Sequence, residues 1–124
     1  MEIWINPACS KCRSALSVLD AEGASYTVRR YLDDPPTEAE LGALLERLGL
    51  EPWDIARVGE PVAQQAGLPR WPRGAADRAR WIAALARHPV LIQRPIITAD
   101  DGHAVVARTE EAVRSALPGG RKTG

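Results

Sequence analysis

Ile3, Trp4 and Ile5 form an unbroken apolar triplet just ahead of Asn6-Pro7, and such a run reads as a short buried strand. From Ser10 the spacing turns helical: Ala15, Leu16, Val18 and Leu19 give a broad apolar face until Gly23 stops it. Residues 26–32, Tyr-Thr-Val-Arg-Arg-Tyr-Leu, are rich in β-formers and partly alternating, which predicts a second strand. Strand, helix and strand within about thirty residues make a βαβ unit.

Asp33-Asp34-Pro35-Pro36 breaks the second strand, and Thr37 with Glu40 carries a capping-box signature. Leu41, Leu44, Leu45 and Leu48 follow at helical spacing, with Gly49 placed to end that helix. Pro52, with Trp53 and Ile55, predicts a further helix running to Gly59-Glu60-Pro61. After a looser stretch of Pro, Gly and Arg, residues 75–87 read as a helix burying Trp81, Ile82 and Leu85, ended by His88-Pro89. Residues 35–89 are therefore a helical insertion. Val90 to Gln93 and Ile96 to Thr98 read as strand-like segments around Pro95, and Asp101-Gly102 is a hairpin turn into Ala104, Val105 and Val106. Thr109 caps a last helix, with Glu110 and Glu111 at its positive end and Val113 and Leu117 inward.

The resulting order is β-α-β, helices, β-β-α. This is an α/β chain in the thioredoxin-like arrangement, with the helical insertion lying between the second and third strands. It predicts one domain over 1–118 and a disordered tail at 119–124. The order of the strands within the sheet is not visible at this level.

The chain has 124 residues and a formal net charge of zero, so its overall balance gives no field for binding nucleic acid directly. Fourteen of the sixteen basic residues are Arg, and with abundant Ala, Gly and Pro this suggests GC-rich coding. An individual Arg must be argued from its position. No apolar run approaches the roughly 18 residues of a membrane span, and the N-terminus lacks the pattern of a secretory signal. The expected location is cytoplasmic, without membrane association. Structural disulfides are uncommon there, so the two cysteines, Cys9 and Cys12, point to redox or metal chemistry.

Both cysteines lie where the first strand hands over to a helix. Free N–H groups and the dipole at a helix start favour a thiolate, which makes Cys9 the expected attacking thiol, with Arg13 in the first turn. Cys12 is one turn further on the same face, within disulfide reach, and is the candidate resolving thiol. A zinc site needs four ligands. Only His88 and His103 are available to complete one, and they match no familiar finger spacing. Otherwise His88 is a helix-end cation and His103 a strand polar group. A third reading has both cysteines simply buried in a core helix. The N–H groups that favour a thiolate also bind anions, and a tetrahedral oxyanion brought to Cys9 calls for Arg partners. Position selects Arg94, before Pro95, and Arg108, at the end of the hairpin.

The segments N-P-A-C-S-K-C-R (residues 6–13), Y-L-x-x-P-P-T (31–37), Leu48-Gly49 and H-P-V-L-I-Q-R-P-I-I (88–97) resemble, in order, the glutaredoxin-coupled arsenate reductase family, which also contains the regulator Spx. The resemblance runs from about residue 2 to 117. It implies a thioredoxin-like fold with a helical insertion and an enzyme that reduces arsenate. Cys9 then matches the attacking cysteine, Asn6 belongs to the motif around it, and Arg57, Arg94 and Arg108 match the arginines lining the oxyanion site. Arg13 is a further candidate for the anion, and Pro95 matches the cis-proline that faces the cysteine. The reductant is external: a glutathione-like thiol with glutaredoxin, or thioredoxin. No bound cofactor or metal is implied.

Two positions depart from the reductase pattern. Ile5 stands where a histidine is common before Asn-Pro, and Cys12 where Ser or Thr is common. The C-x-x-C-R form resembles Spx instead. Two alternatives to arsenate reduction therefore stand: a Spx-like redox switch binding RNA polymerase, and a related thiol oxidoreductase acting on another substrate.

Overall fold

The computed structural model describes residues 1–118; the tail expected at 119–124 lies outside the described residues. In chain order the elements are β1 (Glu2–Ile5), α1 (Ser10–Ala21), β2 (Thr27–Arg30), α2 (Glu38–Leu48), α3 (Pro61–Ala66), α4 (Arg78–Arg87), β3 (Ile96–Thr98), β4 (Ala104–Val106) and α5 (Glu110–Ser115), with short 3-10 turns between them. They divide into two compact units. One joins Met1–Asp34 to the chain from Arg94 onward, and the other is Pro35–Gln93.

The first unit holds a four-stranded sheet in the order β2-β1-β3-β4. β1 runs parallel to β2, as a βαβ crossover requires, and antiparallel to β3, which pairs antiparallel with β4. β1 is thus internal, which explains why its triplet is apolar on both faces rather than alternating. Ile3, opposite Ile97 in the register, packs with Cys12, Ala15 and Leu19 of α1 and with Val113 of α5. Full burial of each of the larger side chains stabilises the unit by about 1.5–3 kcal/mol. Trp4 points to the other face, where its ring stacks with Tyr31 at 6.4 Å and carries the Arg29 guanidinium at 5.1 Å. β2 is an edge strand, and its exposed Arg30 and Asp33-flanked end discourage further pairing. It is shorter than expected, because Tyr31 and Leu32 already belong to the turn in which Asp33 and Asp34 donate to the Arg30 carbonyl. The hairpin turn forms at Asp101-Gly102: Gly102 takes a φ of 92°, and the Asp101 carboxylate accepts from the His103 amide at 3.0 Å.

In the inserted unit α2 starts on the expected capping box. Thr37 Oγ1 accepts from the Glu40 amide at 3.1 Å, and Glu40 accepts from the Thr37 amide at 3.0 Å. Gly49 ends the helix with a φ of 68°, a left-handed conformation that favours glycine. The helix expected from Pro52 to Gly59 is instead one 3-10 turn, Pro52–Ile55. Beyond it the backbone pairs laterally: Ala56 bridges Ile92, the Arg57 amide donates to the Leu91 carbonyl and the Gln93 amide to the Ile55 carbonyl. Those long-range bonds outcompete one more helical turn. Pro61, expected to close that helix, opens α3 at its first position, where a missing N–H costs nothing. The expected strand at 90–93 reduces to this bridge, since Pro89–Leu91 forms a 3-10 turn. α4 begins at Arg78, after a 3-10 turn over Ala75–Asp77, and buries Trp81 and Leu85; Trp53 and Trp71 meet the Trp81 ring edge-on.

Candidate active site at the start of the first helix

Asn6 and Pro7 bend the chain out of β1. The Asn6 side-chain oxygen accepts from the Ala8 amide at 3.0 Å, and its carbonyl accepts from the Cys9 amide at 2.9 Å, an Asx turn that sets up the helix start. Cys9 is the N-cap of α1, with extended φ and ψ of −85° and 123°, and its carbonyl receives the amides of Cys12 and Arg13. Its side chain forms no capping hydrogen bond. The free N–H groups of the first turn therefore act on the half-buried sulfur as aligned dipoles. Cys12, one turn along, is fully buried in the core, and its sulfur accepts from the Asn6 amide at 3.4 Å. Both thiols are free.

The two sulfurs titrate in opposite directions. Burial pushes the Cys9 thiol up, but the Cys12 amide, the Cys12 thiol, the Lys11 amide and the Arg94 guanidinium together hold it below the ordinary cysteine range. Burial dominates for Cys12 and is reinforced by the neighbouring Cys9; the Asn6 amide and Arg94 oppose it incompletely, and Cys12 is pushed up to about 11. A partly exposed thiol whose pKa is lowered thus stands beside a buried thiol whose pKa is raised. That is the division of labour of a nucleophile and a hydrogen-bond donor.

Arg94 is the one charged residue buried in the described core, 8% exposed. It precedes the cis peptide to Pro95, and the Arg108 guanidinium donates to its carbonyl at 2.6 Å while the Ala107 amide donates to the Pro95 carbonyl at 2.8 Å. Cys9, Cys12, Arg94, Pro95 and Arg108 therefore belong to one connected constellation in the first unit. Arg13 lies exposed, its guanidinium donating to the Pro7 carbonyl at 3.2 Å, so it braces the loop before the helix. Arg57 lies in the inserted unit, where it pairs with Glu60 and donates to the Gln93 side chain, both at 3.2 Å. The sequence placed Arg94 at the anion brought to Cys9 and the helix-start N–H groups on its sulfur. That the Lys11 amide is one of those groups, and that the Arg94 guanidinium acts on the sulfur itself, is added by the structure. Among the described residues no three His, Cys, Asp or Glu side chains cluster as metal ligands. The His103 ring meets the Asp101 carboxylate, and His88 sits at the end of α4.

Residues 4–116 match the ArsC family. A protein of Streptomyces viridochromogenes described as "Uncharacterized protein in glnII region" is 68% identical, over 94% of this chain and 98% of its own length. An arsenate reductase of Neisseria meningitidis is 37% identical over 94% of this chain and 97% of its own. The structure of an arsenate reductase from Vibrio cholerae superposes with a TM-score of 0.83 at 34% identity, covering 94% of this chain and 98% of the other.

Proposed function

The chain belongs to the ArsC family, and we propose that it is a thiol-dependent arsenate reductase whose nucleophile is Cys9. The observation that carries this reading is the Cys9 sulfur at the N-cap of α1, its pKa lowered by the first-turn amides, the Cys12 thiol and the Arg94 guanidinium. Cys9 attacks arsenic(V) and displaces hydroxide, which leaves as water after taking up a proton, giving a Cys9–S–As(V) intermediate. Arg94 and Arg108 offset the oxyanion charge, with Arg57 as a third candidate. A second thiolate then attacks the Cys9 sulfur; the S–S bond forms, the S–As bond breaks with its electron pair staying on arsenic, and arsenic leaves as arsenite. In sum, arsenate and two thiols give arsenite, a disulfide and water.

The burial of Cys12, and its thiol pushed up to about 11, favour an external small thiol as the second attacker at neutral pH, followed by a glutaredoxin-type reductant. The intramolecular route, with Cys12 resolving and a thioredoxin-type protein reducing the Cys9–Cys12 bond, is favoured by the one-turn spacing alone. One arsenate turnover with a stoichiometric small thiol, read by intact mass, separates them. A thiol adduct on Cys9 supports the external route, and loss of two hydrogens with no adduct supports the internal one. Persistence of arsenate turnover in Cys9→Ser would reject the enzymatic reading altogether.

A further inference from the structure

The inserted unit carries its charge unevenly. Residues 61–87 hold five arginines, Arg70, Arg73, Arg78, Arg80 and Arg87, against a single carboxylate, Asp77, in a chain whose formal net charge is zero. Asp77 is taken up by a turn, where it accepts from the Gly74 amide at 3.0 Å. Arg78 is offset from outside the segment by Glu51, at 3.3 Å. The other four arginines are exposed, and none has a carboxylate partner among the described residues.

Two of these cations are held by aromatic rings instead of by anions. The Arg80 guanidinium lies 3.8 Å from the centroid of the Trp71 ring, and that of Arg73 lies 5.7 Å from the centroid of Trp81. The two rings meet edge-on at 5.6 Å, so both cations sit on one aromatic pair. Trp81 is fully buried, and its indole N–H donates to the Pro72 carbonyl at 2.9 Å, which ties the loop after Trp71 to α4. A ring quadrupole orients a guanidinium without neutralising its charge. Arg and Trp dominate binding energy at protein interfaces, and side chains fixed before association lose less freedom on binding. We propose that this face of the inserted unit docks a carboxylate-rich segment of another protein, whose Asp and Glu side chains pair with Arg70, Arg73 and Arg80. Nucleic acid is the competing polyanion, and proteins that hold its single strands add aromatic faces on which bases stack. Here Trp81 is buried and Trp71 already carries Arg80, so the surface offers guanidinium forks for carboxylates and not a stacking platform. The surface lies wholly within the inserted unit, and the proposal is independent of the chemistry at Cys9.

A fluorescently labelled oligoglutamate peptide is the probe, with an oligothymidylate of the same length alongside, both titrated at about 0.15 M salt, where surface charges are well screened. The parent should bind the peptide more tightly than the oligonucleotide. Arg73→Glu and Arg80→Glu should each weaken peptide binding about fivefold or more, and Arg80→Gln, which removes the charge without reversing it, about twofold or more. Arg30→Glu makes the same change of net charge on the exposed edge of β2 and should alter binding by less than about twofold. Circular dichroism checks that each variant keeps the parent fold. Absence of peptide binding by the parent overturns the proposal, as does an equal loss in Arg30→Glu, which would reduce the effect to net charge. Oligothymidylate bound as tightly as the peptide, and lost in the same variants, overturns it in favour of nucleic acid.

Discussion

Truncating Cys12 to alanine should make Cys9 a weaker acid. Cys12 is fully buried and protonated up to about pH 11, so at every working pH its S–H is available to the Cys9 thiolate. A hydrogen bond to a charged group is worth about 1.5–3 kcal/mol net, and sulfur is a weak donor, so the low end applies. At 1.36 kcal/mol per pH unit, losing it moves the Cys9 titration upward by about one unit. The shift is partial because the Cys12 and Lys11 amides and the Arg94 guanidinium remain. Cys12→Ser keeps an O–H donor at the same position and should hold Cys9 within about half a unit of the parent. The assay is the rate of iodoacetamide alkylation against pH, with mass mapping to assign the reacting residue. A parent-like profile in Cys12→Ala would refute the donor role and leave Cys12 as a packing residue. An equal upward shift in both variants would show that loss of sulfur packing, not loss of a donor, is responsible.

The raised Cys12 also predicts a pH dependence of stability. Above about pH 9 the unfolded chain releases this proton while the folded chain keeps it up to about 11, so stability should fall as pH rises through that window. Thermal midpoints measured across it should decline in the parent more steeply than in Cys12→Ser. Arg108→Ala, which removes both the bond to the Arg94 carbonyl and a cation, should lower kcat/KM for arsenate by about 10²–10³, seen in steady-state kinetics with the thiol saturating; a change in glutathione KM alone would contradict the oxyanion role. Thr37→Ala should cost about 1 kcal/mol in urea denaturation, since it deletes half of the capping box on α2.

What the sequence made legible follows the range of the interaction concerned. Ile3, Trp4 and Ile5, the Thr37–Glu40 cap, Gly49 and Asp101-Gly102 act through their immediate neighbours, and each forms the expected structure. Pro61 was misread because proline both ends one helix and opens the next, and only the lateral bonds from Ala56 and Arg57 to residues 91 and 92 decide between these. Cys9 was legible as a helix-start thiol, and Arg94 and Arg108 from their places beside a proline and at a hairpin end. What stayed hidden is how these groups divide the work. The Arg94 guanidinium reaches Cys9 only once β3 lies against β1, a pairing between segments more than ninety residues apart.

That pairing also sets a schedule for synthesis. β1, α1 and β2 leave the ribosome early, but β3 is encoded after the whole of Pro35–Gln93. At 5–20 residues per second the interval is on the order of ten seconds. During it β1 has one of its two neighbours, Cys12 lacks Ile97 and Val113 to bury it, and Cys9 lacks the guanidinium of Arg94. A nascent or prematurely ended chain therefore carries a pair of thiols without their tertiary partners. Closure of the sheet adds the Arg94 guanidinium to the amides of α1 that already act on Cys9, so translation itself delays the completion of the site until the fold is able to direct it.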